Sequence, residues 1–401
     1  MKASGNEILL KPGDILYREG DANDAAYVID WGEVVLHHQV GDRRIEIETR
    51  GDGAVIGELS ILTDQPRSVT VEALTNCRLF CLSADKIFAR FERLDPILKA
   101  CVETSIEFTA KLHGRPDSDG DTPKKRPENS PVPRDLIEAL QLENDIASGL
   151  ERGEFSMVYQ PIVCLEDGDV SGFEALMRWT HPILGNVPPD RFIKVAEDMG
   201  SIGCITEFAL SEACKTIGQM RKATPDRDLF MSVNVSGLDL GRATFPDFLN
   251  HVMDLNGVDP RSLRLEVTET SLVPSSPTAQ DNLDRLRQAG IGISIDDFGT
   301  GYSNLGYLKH LPLTALKIDR SFAADAHANS VSQSIVRMLV ALGRELGVDV
   351  VAEGLETSEA AQTLRDLGCL LAQGFHFFKP MPESQAFALA TGQPFAQRHS
   401  A

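Results

Sequence analysis

Residues 291–297 read Ile291-Gly292-Ile293-Ser294-Ile295-Asp296-Asp297. A short run rich in β-branched residues has the character of a buried strand, and here it ends in two acids. The same design recurs along the C-terminal part of the chain. Further strand candidates are Met157–Val163, Gly172–Met177, Leu229–Val235, Leu263–Val267, Ala315–Ile318, Val348–Ala352 and Leu370–Gln373. Helical patterns lie between most of them. Examples are Phe248–Leu255, with Gly257 and Pro260 as stop signals, Asn282–Gln288 and Ser334–Leu346. Alternation of strand and helix over roughly 260 residues points to a (β/α)8 barrel of TIM type rather than an open sheet.

Almost every one of these strands finishes on an ionisable or amide side chain. Glu174, Asn234, Glu266 and Glu269, Asp296 and Asp297, Lys317 and Asp319, Glu353 and Glu356, and Gln373 all stand at such positions. In a barrel those ends converge on one face, where catalysis is found. Taken singly, each acid reads as a solvated loop residue or a helix cap. Their recurrence argues for a shared site. Converging carboxylates repel one another unless a cation compensates them. Oxygen-only donors suit Mg²⁺ or Mn²⁺, and so many acids suggest two ions, an arrangement suited to in-line displacement at phosphorus. Lys317 adds a group that can orient or deprotonate water, and Arg178 can hold a phosphate oxygen.

Before this region, residues 114–134 read GRPDSDGDTPKKRPENSPVPR, with five prolines and almost no apolar residue. Such a segment cannot bury a core and is expected to be a linker. The expected organisation is therefore a first domain over 1–113, a linker over 114–134 and a barrel over 135–401. The first part is β-rich. Short apolar alternations such as Tyr27-Val28-Ile29, Val34-Val35-Leu36 and Arg44-Ile45-Glu46-Ile47-Glu48 are separated by Gly turns. After Ser83, Ile87, Phe88, Phe91 and Leu94 share a helical face. A second stripe of Leu98, Cys101, Val102, Ser105, Ile106 and Thr109 follows Pro96 and is a candidate either for a homodimer contact or for packing onto the preceding β-rich part.

The 401 residues carry a formal charge of −20 and are 42% hydrophobic. The hydrophobic content excludes global disorder. The acidity argues against duplex DNA or an anionic membrane as partner, while allowing a local basic pocket for a phosphate. No run of about 18 apolar residues predicts a membrane span, and the polar N-terminus lacks the apolar region of a signal peptide. Seven cysteines, at 77, 81, 101, 164, 204, 214 and 369, form no CxxC pair. They read as reduced thiols of a cytoplasmic protein.

Glu174-Ala175-Leu176, Asp296-Asp297-Phe298-Gly299-Thr300-Gly301-Tyr302-Ser303, Lys317-Ile318-Asp319, Ala352-Glu353-Gly354 and Gln373-Gly374-Phe375, in this order, resemble the motif set of EAL-domain cyclic-di-GMP phosphodiesterases. The likeness runs over about residues 135–390. It implies hydrolysis of c-di-GMP to linear pGpG with two Mg²⁺ or Mn²⁺ ions. It further implies that Glu174, Asn234, Glu266, Asp296, Asp297, Glu353 and Gln373 support the metals and their waters, with Lys317 at the attacking water. Gln160 and Arg178 would contact the substrate backbone. Leu176, Asp319, Phe375 and Pro380 would lie near sugar and guanine. Glu269 and Glu356 would fix the loop Phe298–Ser303. Phe375 stands where the family often has Tyr. The alternative is a c-di-GMP receptor without catalysis.

Residues 50–73 read RGDGAVIGELSILTDQPRSVTVEA. Gly57 opens a turn that exposes successive N–H groups, Glu58 can accept from a ribose hydroxyl, and Arg67 is a forked donor for phosphate. With the flanking strands this resembles the phosphate-binding cassette of cyclic-nucleotide-binding domains, over about residues 6–113. The resemblance implies Gly57, Glu58, Leu59 and Ser60 around ribose and phosphate, and Arg67 and Ser68 on the cyclic phosphate. Ser68 in place of Thr leans towards cAMP over cGMP. Together the two parts suggest a cyclic mononucleotide that regulates destruction of a cyclic dinucleotide.

Overall fold

The computed structural model describes residues 3–91 apart from 5, 6, 41, 42 and 64, then Val102, 134–269, 277–299 and 311–393. The second apolar stripe, all but the last residue of the linker, and Thr300–Ser303 thus lie outside the described residues or almost so, Val102 alone excepted. Two compact units, Met1–Ser148 and Gly149–Ala401, divide the chain.

Among the described residues the first unit holds nine strands. They are β1 Ala3–Ser4, β2 Glu7–Leu10, β3 Ile15–Tyr17, β4 Ala25–Trp31, β5 Val34–Val40, β6 Arg43–Arg50, β7 Val55–Ile56, β8 Thr70–Ala73 and β9 Cys77–Ser83. One sheet has the order β1-β2-β9-β4-β7 and the other β3-β8-β5-β6. Alternating residues of each strand face the same way, so Tyr27 and Ile29 of β4 and Val34 and Leu36 of β5 enter one core with Leu10, Ile56, Val71 and Leu79. A helix of five residues, Glu58–Leu62, follows β7, and Ala84–Phe91 follows Ser83.

The second unit continues with β10 Phe155–Cys164, β11 Val170–His181, β12 Gly185–Val187, β13 Phe230–Asn234, β14 Leu263–Thr268, β15 Gly292–Phe298, β16 Ala315–Ile318, β17 Asp349–Ala352, β18 Leu371–Ala372 and β19 Met381–Pro382. The order β11-β13-β14-β15-β16-β17-β18-β10, with β10 also bonded to β11, closes an eight-stranded barrel. Helices Ile202–Ala223, Phe245–Asn256, Pro277–Gln288, Ser330–Leu346 and Ser358–Asp366 connect the parallel strands. Gly257 ends the second of these with φ 63°, as its position in the sequence predicts.

One strand departs from the uniform parallel barrel. β10 runs antiparallel to both β11 and β18. The turn 165–169 is too short to hold a crossover helix, so it closes a hairpin instead. Among the described residues no helix is long and apolar enough to cross a membrane.

Candidate active site

The period of two along each barrel strand aims every second side chain inward. Glu174 on β11, Asn234 on β13, Glu266 on β14 and Lys317 on β16 point this way, and all but Asn234 are buried. Register brings them level. Gln160 pairs with Glu174 across the β10–β11 hairpin, and Asn234 stands beside Glu266.

Lys317 lies at the centre. Its Nζ is 2.5 Å from Glu266 Oε2 and from Glu353 Oε1, 3.1 Å from Asp296 Oδ1 and 3.6 Å from Glu174 Oε2. Asp319, two residues on, is not its partner: that carboxylate caps a short helix by accepting from Ser321 N at 3.0 Å. Glu174 accepts from Asn234 Nδ2 at 2.9 Å and from Gln373 Nε2 at 2.6 Å. Gln373 also donates to Glu353 Oε1 at 3.4 Å.

Adjacent acids on a strand ordinarily face opposite sides. Asp296 and Asp297 escape this rule. The β15–β16 pairing shifts between Ile295 and Phe298, and Asp297 has φ 53°, the one non-glycine with positive φ among the described residues. Ligand oxygens of Asp296, Asp297 and Glu353 consequently lie within 4.8 Å of one another. An all-oxygen donor set of this kind fits a hard divalent cation.

One ammonium does not neutralise four carboxylates. Burial, opposed by Lys317, holds the Glu266 carboxyl up at about 8. Burial likewise pushes Glu353 well above the ordinary carboxylate range. Glu174 is also penalised by burial, yet Lys317, Gln373 and Asn234 together draw it below its ordinary value. Burial would lower Lys317, but the surrounding carboxylates raise it well above its ordinary value. So many carboxylates around one ammonium leave an excess of negative charge that added cations would relieve.

Beside the acids a cavity of about 480 Å³ is lined by Leu176, Arg178, Asn234, Val235, Ser236 and Glu266, among others. Arg178 Nη1 donates to the Met177 carbonyl at 2.8 Å. Gln160 is buried and donates to the Phe378 carbonyl at 3.4 Å. Phe375 is exposed, with the Lys379 ammonium 5.7 Å from its ring centre, and Pro380 is half-buried. Glu269 is buried, with Oε2 unpartnered among the described residues, while Glu356 pairs with Arg320 at 2.7 Å. Most of the loop assigned to these two acids lies outside the described residues.

Gly374 follows Gln373 in close quarters. A Cβ there would stand against the main chain of Leu355, which cannot swing aside as a flexible side chain would. Gly374→Ala should therefore lower stability by about 1–3 kcal/mol, read as a fall in the urea midpoint without change of slope.

In the first unit, Gly57 takes φ 81° and an added Cβ would meet Arg67 Nη1 at 2.5 Å. Arg67 is buried. It donates to the Gly57 carbonyl at 3.0 Å and to the Ala25 carbonyl, and lies 3.5 Å from Asp24. Its guanidinium carbon sits 4.3 Å from the centre of the Tyr17 ring, and its Nε is unpartnered among the described residues. Glu58 pairs with Arg50 Nη1 at 3.3 Å. Ser60 is buried, Leu59 half-buried and Ser68 exposed. Tyr17, Asp24 and Arg50 were not singled out by the sequence reading. Their partners lie 50, 43 and 8 residues away, and no local periodicity signals such pairings.

The first unit is thus a β-roll with an arginine-bearing turn, and the second a closed β/α barrel with a carboxylate-rich mouth. Residues 143–380 match the EAL domain model, more than half of the chain, and the chain belongs to that family. Residues 7–93 match the cyclic nucleotide-binding domain. The cyclic di-GMP phosphodiesterase NbdA of Pseudomonas aeruginosa is 41% identical over 243 residues, 61% of this chain and 31% of that protein. The bifunctional diguanylate cyclase/cyclic di-GMP phosphodiesterase MucR of the same organism is 42% identical over 253 residues, 63% of this chain and 36% of that protein. The chain thus spans about a third of the length of these curated relatives. Among solved structures, the EAL enzyme Bd1971 in its cAMP-bound form is 29% identical, with 96% of this chain and 100% of that chain covered and a TM-score of 0.62. The MucR phosphodiesterase in complex with c-di-GMP is 40% identical over 61% of this chain and 99% of that one, with a TM-score of 0.58.

Proposed function

We propose that this protein hydrolyses c-di-GMP to linear pGpG and that a cyclic mononucleotide, cAMP in the first instance, adjusts the rate. The observation that carries the first half is the gathering of four carboxylates around Lys317 at one mouth of the barrel. Glu174, Asn234, Glu266, Asp296, Asp297 and Glu353 would hold two Mg²⁺ or Mn²⁺ ions, with Gln373 braced against Glu174. Bound there, the ions would supply Lewis-acid stabilisation of the attacking and leaving oxygens at phosphorus.

The chain's own residues do the rest. Lys317, an ammonium among carboxylates, orients the attacking water by donating a hydrogen bond to it, and Arg178 holds a phosphate oxygen. Gln160 touches the substrate backbone, and Leu176, Asp319, Phe375 and Pro380 border sugar and guanine. Glu269 and Glu356 hold the loop that begins at Phe298. One P–O3′ bond breaks as the bond from water to phosphorus forms, and the freed 3′ oxygen takes a proton. The test is incubation with c-di-GMP and Mg²⁺, with and without cAMP. Formation of pGpG is expected, and substrate left intact in both samples would refute the assignment.

Support for the second half comes from the buried Arg67 fork beside Gly57 and Glu58, together with the likeness to a cAMP-bound EAL enzyme. Arg67 and Ser68 would face the cyclic phosphate, and Gly57, Glu58, Leu59 and Ser60 would surround ribose and phosphate. Coupling requires that the ligand bind two conformations unequally. Arg67→Lys keeps the charge but loses the fork, so calorimetric affinity for cAMP should fall by about 10- to 100-fold. An unchanged affinity would remove Arg67 from the site.

A further inference from the structure

We propose that Arg50 is a positioning residue for nucleotide binding: it holds the Glu58 carboxylate in the orientation that accepts the ribose hydroxyl. The proposal rests on the cyclic-nucleotide reading of the first unit and goes one residue beyond it. Glu58 opens a helix of only five residues and its side chain is 40% exposed. Left alone, such a carboxylate would sample several rotamers in water, and each would have to be given up on binding. Among the described residues, Arg50 is the side chain it pairs with, at 3.3 Å from Nη1 to Oε1.

Arg50 is itself tightly held. Its side chain is 13% exposed. Nε and Nη2 both reach Glu48 Oε1 at 2.6 Å, and Nη1 donates to the Val55 carbonyl at 2.5 Å. The fork thus ties the end of β6 to β7, the strand that leads through Gly57 into Glu58. A guanidinium fixed on two sides is a rigid prop, whereas a lysine would offer only a mobile point charge. Arg50 keeps its distance from the phosphate role of Arg67. One arginine sets the acceptor for the sugar and the other supplies donors for the phosphate.

The test uses the full chain and compares cAMP with 2′-deoxy-cAMP, which lacks the hydroxyl that Glu58 would accept. Wild-type protein should bind the deoxy ligand about 10- to 100-fold more weakly. Arg50→Met should weaken cAMP binding by about three- to ten-fold and shrink the ratio between the two ligands by a similar factor. Arg50→Lys should fall between. A merely structural loss would weaken both ligands alike and leave the ratio unmoved, and that result overturns the proposal. Should Arg50→Met not fold, Glu48→Gln removes the anchor and keeps Arg50; a reduced ratio supports the proposal and an unchanged one overturns it. If wild-type protein binds neither cAMP nor cGMP, the nucleotide reading fails and the positioning role falls with it, an outcome distinct from an unchanged ratio.

Discussion

Glu174→Ala brings hydrolysis of c-di-GMP to background, a loss of at least about 100-fold. Glu174 is the hub of the barrel's hydrogen bonds at this mouth. It accepts from Asn234 and Gln373 and stands 3.6 Å from Lys317. Its removal would take away one oxygen donor for the proposed cations, unpair the Asn234 amide from Glu174 and leave Gln373 Nε2 with Glu353 alone. Lys317, Gln373 and Asn234 favour the ionised Glu174 in the folded protein, so its carboxylate also contributes stability and a stability readout must accompany the assay. Glu174→Gln, which preserves the volume, should lose activity as severely while its metal-free unfolding temperature falls by only a few degrees and the protein stays folded at the assay temperature. Turnover within threefold of wild type in either variant would remove Glu174 from the reaction.

Lys317→Met has two expected effects of different origin. Turnover falls by about 10²–10⁴-fold, as befits loss of the group that orients the attacking water. Stability also falls, and here the condition matters. Four carboxylates, those of Glu174, Glu266, Asp296 and Glu353, lose their shared cation inside the barrel. Leaving buried charge uncompensated costs about 3–5 kcal/mol. In EDTA the unfolding temperature should drop by on the order of 10 °C. Saturating Mg²⁺ should recover much of that, since ligand bound to the folded state alone stabilises it by mass action. Activity stays lost in Mg²⁺ while stability returns. A variant as stable as wild type in EDTA would show that the ammonium is not the internal counter-ion.

Much of this protein was readable one residue at a time. The strand at 315–318 is bounded in the fold as its β-rich run suggests, and Gly257 ends its helix where expected. Such features depend on neighbours along the chain. The resemblance to the EAL family covers motifs that are short and contiguous, and so it was visible without a fold. The direction of β10 was not, because the pattern of a buried strand is the same whichever way it runs. The arginine props of the first unit were hidden for a similar reason. A charged residue in β6 reads as solvent-facing until the turn after β7 folds back upon it.

The acids at 296 and 297 draw the boundary most clearly. Local periodicity determines that a strand ends there and that oxygen donors stand at its end. By the same periodicity the two side chains should part to opposite faces. Only the paired sheet decides otherwise, through a slipped register against β16 and a left-handed residue that turn both carboxylates towards Glu353. Periodicity is written in the chain because a backbone repeats on its own. Convergence is not, because oxygens from strands far apart in sequence meet only when the barrel closes.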